Sequence, residues 1–168
     1  KIIDTKPILS KAYQSRIENQ DRLSSNLIPN TDLFQINQET GEPVGYSHTV
    51  DSADTSYQFL QEGQGKGFLR ATNTQKRGPD QIQPAWQYNP VTIVPAVKTY
   101  GYGFWYRSTT PIRVSLEFSK DNKSSYVEVA ALDASPDWRQ FTAHFNNNDS
   151  ATGFRANVHG LEPGHLDT

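Results

Sequence analysis

Between Thr99 and Arg107 the chain reads TYGYGFWYR, and the strict two-residue period of that stretch admits one regular structure. Successive side chains of a strand leave on opposite faces. Tyr100, Tyr102, Phe104 and Tyr106 therefore share one face, while Gly101, Gly103, Trp105 and Arg107 share the other. A helix would scatter the same aromatics around its circumference. The first face is predicted to build a core. The second sets bare glycines on the same side as an indole, which leaves room for something flat to lie against it.

The same rule recurs along the chain. In PIRVSLEFS the inward set is Ile112, Val114, Leu116 and Phe118, with Arg113, Ser115 and Glu117 outside. Val127 and Val129 mark a further strand, WRQFTAHF turns Phe141, Ala143 and Phe145 inward, and GFRANVHG alternates Phe154, Ala156 and Val158 with Arg155, Asn157 and His159. GFLRAT is predicted to bury Leu69 and Ala71 and to expose Arg70. The punctuation is polar: SKDNKSS reads as a turn, DASPDW as a corner and FNNNDSATG as a longer connection. The longest stretch without alternation, TNTQKRGPDQIQPAWQYNP, has the length of a functional or mobile loop. Short apolar runs divided by Gly, Pro, Asn and Asp predict an all-β sandwich of two antiparallel sheets. Residues 1–25 read differently. Ile8, Ala12, Tyr13, Ile17 and Leu23 follow Pro7 at loosely helical spacing, which predicts a short helical or extended lead-in before a β domain over residues 26–168.

Charge and composition remove several function classes. A chain of 168 residues suits one domain plus a tail, and a formal net charge of −2 offers no basic field for a phosphate backbone, so nucleic acid is not an expected partner. Without cysteine there is no disulfide framework, thiolate nucleophile or thiolate metal site. No apolar run reaches the roughly 18 residues of a membrane span. His48, His144, His159 and His165 lack zinc-ligand spacing, and GQGKG lacks the strand and helix that a phosphate loop requires. Glycoside hydrolysis needs two carboxylates about 5 to 9 Å apart. Glu117 is the one acid on a strand face with suitable surroundings, and no serine elbow is present, so no enzymatic activity is expected.

Six phrases then fall in a familiar order: NLIPNTDLF at Asn26 to Phe34, GEPVGY at Gly41 to Tyr46, GFLRATN, VPAVKTYGYGFWYRS, WRQFTAHF and the closing HLDT. Together, by order and spacing, they resemble the jelly-roll carbohydrate-binding modules of the superfamily that includes families four, nine, sixteen and twenty-two. The resemblance covers roughly Asn26 to Thr168. It implies a jelly-roll sandwich that binds an oligo- or polysaccharide without cleaving it, as an appended module of a larger secreted or cell-surface protein. A chain that begins without Met, and that stops at the phrase normally entering the last strand, is expected to be a piece of such a protein. One departure is plain. Many members carry a glutamate for a structural calcium where this chain has Phe34, although Asp167 matches the terminal acid.

Sugar binding uses flat aromatics stacked on pyranose rings and planar polar groups that reach hydroxyls in pairs. The candidates are Trp105, Arg107, Arg70, Glu117, Gln140 and Asn157 on outward strand positions, with Trp86 and Tyr88 in the long loop as either plug or platform. Trp138, after a Pro-Asp corner, reads as packing at the sandwich edge. Convergence of Arg70 and Arg107 would favour an anionic sugar. Asn30, Asp32 and Asp167 are oxygen donors suited to a structural calcium, and no other cofactor is implied. The alternative function is a structural or adhesive surface domain that presents the same sandwich to a protein partner.

Overall fold

The computed structural model describes residues 27–28, 33, 35–62, 66–78, 80–93, 99–147 and 150–168. The expected lead-in over 1–25 lies outside them. Among the described residues every regular element is a strand: β1 (Tyr46–His48), β2 (Thr55–Glu62), β3 (Lys66–Asn73), β4 (Trp86–Tyr88), β5 (Val91–Thr92), β6 (Thr99–Ser108), β7 (Ile112–Lys120), β8 (Lys123–Leu132), β9 (Ser135–Asn146), β10 (Gly153–Gly160) and β11 (Gly164–Asp167). They form a five-stranded sheet in the order β2-β3-β11-β6-β9, a four-stranded sheet in the order β5-β10-β7-β8, and a two-stranded ribbon of β1 and β4. Every pairing is antiparallel. This is the two-layer antiparallel sandwich that the alternation predicts, with the jelly-roll fold that the resemblance implies.

The inward faces are those read from the period. Ile112 and Val114 of β7 and Val158 of β10 are buried with Tyr106 and Leu166 of the opposite sheet, Leu116, Phe154 and Ala156 are buried with Phe145 and Tyr88, and Leu69 and Ala71 are buried with Trp86. At one end Phe154 stacks on Phe145, ring centroids 4.5 Å apart and 12° from parallel, with Phe118 and Tyr102 packed around them. Aromatic pairs of this geometry add to the area they bury. The β7–β8 hairpin turns on Asp121 and Asn122, both left-handed at φ 51° and 61°, which suits a two-residue hairpin and the two residue types that best tolerate that conformation.

The ribbon joins the layers. Trp86 donates its indole Nε1–H to the carbonyl of Arg70 in β3 at 2.9 Å, and the Tyr88 hydroxyl accepts the amide of Ala156 in β10 at the same distance. His48 stacks on Tyr57 at 3.8 Å and meets the edge of Trp86. One expectation needs correction. The DASPDW corner turns only at Asp133 and Ala134, which carry the chain from β8 in one sheet to β9 in the other, and Pro136 already lies inside a strand. The ladder accommodates it through a register shift between Tyr106 and Ser108, where a proline need not donate. Val127 and Val129 lie in a strand as read, β8; both are substantially exposed at the sandwich edge, and the shift between Val114 and Ser115 makes Val129 the extra residue of a bulge.

Phe154→Ala removes the central ring of the aromatic end and should cost about 3 to 5 kcal/mol, measured by urea unfolding, with an unchanged dependence on denaturant.

Candidate functional site

The outward face of the five-stranded sheet carries the strongest constellation. Cross-strand pairing sets Trp105 beside Gln140, Gly103 beside Thr142 and Gly101 beside His144. Directly paired residues share a face, so these six line one side of the sheet, and Trp105 stands 54% exposed among them. The two glycines have different reasons. A Cβ on Gly103 would press on the Phe141 carbonyl at 3.1 Å and the Thr142 methyl at 3.2 Å, a tight fit that β9 would have to relieve by a few tenths of an ångström. A Cβ on Gly101 would meet only the His144 ring at 3.7 Å, an ordinary contact. Nothing in the packing demands glycine at 101, about 13 Å along β6 from Trp105, where its bare backbone continues the low surface that Gly103 begins beside the indole.

Next to Trp105 the face is aromatic. Trp138 packs edge-on to Phe68 at 5.6 Å, and the Arg107 guanidinium lies over both rings, 4.9 Å from Trp138 and 5.3 Å from Phe68. Such cation–π contacts clamp an arginine side chain in place. A cavity of about 840 Å³ opens here, with Trp105, Trp138, Phe68 and Glu62 among its walls. Phe68 was not singled out from the sequence and Trp138 was read as packing at the sandwich edge, yet the signal was present. Phe68 has the parity of Arg70, and Trp138 that of Gln140, so the alternation places both outward.

Arg70 and Arg107 do converge, but on Asp167. Arg70 grips the carboxylate with Nε at 2.6 Å from Oδ1 and Nη2 at 2.8 Å from Oδ2, while Arg107 brings Nε and Nη2 to Oδ2 at 3.0 and 2.8 Å. Burial alone would raise the Asp167 pKa, but the hydrogen bonds and charges of the two arginines outweigh it and hold the group below its ordinary 3.8. Two corrections follow. The arginine pair is already neutralised in part, so it does not argue for an anionic sugar. Nor does Asp167 fit a calcium site, since both its oxygens accept from guanidinium groups that would repel a cation. Asn30 and Asp32 lie outside the described residues, and among the described residues no three acidic or histidine groups converge as a metal site.

The remaining candidates separate. Trp86 and Tyr88 are 8% and 6% exposed, plugs beneath the surface whose polar atoms are spent on backbone partners, so neither is a platform. Glu117 and Asn157 lie on the outward face of the other sheet. There Glu117 takes Arg155 at 2.5 Å and the Ser124 hydroxyl at 2.9 Å. Burial pushes its pKa up, but the Arg155 and Ser124 hydrogen bonds prevail and lower it from 4.5. Of the eight ligand candidates, the structure unites Trp105, Gln140, Arg107 and Arg70 on one face.

No protein-family model matches the chain, and no curated protein matches it. Solved structures do. The chain is similar to the family 11 carbohydrate-binding module of the cellulosomal cellulase Lic26A-Cel5E of Clostridium thermocellum, with a TM-score of 0.56 and 10% identity over 82% of this chain and 88% of that one. TmCBM61, solved with β-1,4-galactotriose, gives 0.51 and 16% over 86% and 93%. The CBM22-1 and GH10 modules of Clostridium thermocellum xylanase 10B, complexed with xylohexaose, give 0.54 and 11% over 73% of this chain and only 24% of that protein. The fold is that of the jelly-roll carbohydrate-binding modules.

Because the folded pKa of Asp167 lies below 3.8, its stabilisation is complete above that value and is lost as pH falls through the lowered one. Asp167→Ala should cost about 3 kcal/mol at neutral pH, the low end for a buried pair because both guanidinium groups keep some solvent. Its loss of stability on acidification, followed by tryptophan fluorescence, should be shallower than that of the parent.

Proposed function

We propose that the chain is a non-catalytic glycan-binding module, carried on a larger secreted or cell-surface protein, and that it binds through the outward face of the five-stranded sheet. One observation carries this reading: Trp105 lies exposed beside a surface kept low by Gly103 and Gly101, on the fold of the carbohydrate-binding modules. A pyranose ring stacks its apolar face on an indole, while planar polar side chains at the rim meet its hydroxyls. Gln140, Thr142 and His144 supply that rim. Arg107 acts by holding Trp138 and Phe68, which extend the aromatic wall.

The electrostatics favour a neutral sugar. Arg70 and Arg107 share Asp167, and Glu62 stands 3.5 Å from Arg107, so two positive charges face two negative ones. Binding without cleavage is supported by Glu117, whose carboxylate is ion-paired and lowered, whereas a general acid needs a raised pKa. The xylohexaose and galactotriose of the neighbouring structures are natural first probes. A second reading rests on β8, where Tyr126, Val127 and Val129 are exposed along an edge and would suit a protein partner.

Isothermal titration with neutral xylo-, galacto- and gluco-oligosaccharides should show binding by the parent chain. Trp105→Ala should weaken it about tenfold, the equivalent of some 1.4 kcal/mol of stacking. Gly101→Leu should weaken it comparably while the melting temperature stays near that of the parent. Equal binding by the parent and Trp105→Ala, or no glycan bound at all, would sink this reading and leave the β8 edge as the alternative.

A further inference from the structure

In the modules that this chain resembles, a structural calcium takes an oxygen from the acid that Asp167 matches. Here that carboxylate is occupied by the protein's own side chains. Arg70 donates from Nε to Oδ1 at 2.6 Å and from Nη2 to Oδ2 at 2.8 Å, and Arg107 donates to Oδ2 from Nε at 3.0 Å and from Nη2 at 2.8 Å. An ionised carboxylate has about four lone-pair sites, and four N–H groups match that number. Calcium gathers about six to eight oxygens. The Asp167 side chain has 0% exposure, so bulk water cannot complete such a shell around it.

The charge is supplied in a form that resembles the ion. Arg70 and Arg107 stand directly opposite Asp167 on the two strands that flank β11, so a row of Arg, Asp and Arg crosses three strands. The two guanidinium groups together carry the charge of one calcium ion and bring it to a single carboxylate from both sides. Each is a planar fork whose geometry matches a carboxylate, which a point charge such as lysine does not reproduce. Their side chains are only 27% and 21% exposed, so salt screens them less than it would a surface pair. Glu62, 3.5 Å from Arg107, balances the second positive charge. Two cations against two anions leave no net negative charge to draw a divalent metal.

We propose that this arginine pair takes the place of a structural calcium: Arg70 and Arg107 secure β11 between β3 and β6, and the junction holds without a divalent cation. A bound ion leaves when its free concentration falls, whereas a side chain cannot be diluted or chelated away. Phe68 and Trp138, against which Arg107 packs, keep their places in calcium-poor surroundings for the same reason. The inference stands apart from the identity of the ligand that the outer face binds.

The test uses the 168-residue chain, freed of metal by dialysis. Leu69 and Thr168 exchange backbone hydrogen bonds where β3 meets the end of β11, so their amides report on the junction. The melting temperature and the hydrogen-exchange protection of these two amides should be the same in excess chelator as in excess calcium chloride. A structural calcium at about a hundred times its dissociation constant would instead raise the melting temperature by about 5 to 10 °C. Arg70→Gln should lower the protection of both amides at least tenfold while that of Val114 and Val158, paired in the other sheet, stays as in the parent. Should this variant fail to fold, the comparison of calcium with chelator on the parent chain still decides. A calcium-dependent rise in melting temperature or in the protection of Leu69 and Thr168, or full protection of both amides in Arg70→Gln, would overturn the proposal.

Discussion

Asp167 sits fully buried on a strand of four residues, where its carboxylate receives Arg70 from one neighbouring strand and Arg107 from the other. A strand so short contributes few ladder bonds, and an isolated buried carboxylate would be costly. The two guanidinium groups offset that cost and fix the register. Sliding β11 by one residue would turn Asp167 into the apolar core and Leu166 out to solvent. The same ion pairs orient Arg107, whose guanidinium then holds Trp138 and Phe68. The position of the aromatic wall beside Trp105 therefore depends on a carboxylate that faces no ligand.

The opposite sheet repeats the device at its own surface, with Glu117 between Arg155 and Ser124. In both sheets the charged groups nearest the centre are paired within the protein. What the outer face of the five-stranded sheet exposes includes an indole and an amide, Trp105 and Gln140, whereas on the other the exposed Tyr126 is hydrogen-bonded to Glu117. A surface in which charge holds the scaffold and uncharged planar groups meet solvent suits a neutral, flat-faced ligand.

The layers were legible because period-two alternation is a local property. Tyr100 to Tyr106, Ile112 to Phe118 and Phe154 to Val158 all face where their parity puts them. The site was legible in part for the same reason, and Trp105 with Gln140 follows from parity alone. Partnership between strands distant in sequence was not. Nothing within GFLRAT or FWYRS indicates that Arg70 and Arg107 meet a common acid rather than a ligand, because the acid arrives from a strand some 60 to 97 residues later. Trp86 and Tyr88 were left as plug or platform for a related reason. Their loop lacks alternation, and only the pairing with Tyr46 and His48 shows that it dives between the layers. Pro136 concealed Trp138, because a proline reads as a corner until the register shift that tolerates it is seen.

The bulge at Val129 bears on how neighbouring copies behave. β8 is an outer strand with three apolar side chains exposed, the kind of margin on which sheets fuse. One supernumerary residue breaks the even spacing of its hydrogen-bonding groups and twists the margin, and Lys123 and Glu128 add charge along it. Neighbouring copies of the chain would therefore stay separate instead of joining edge to edge.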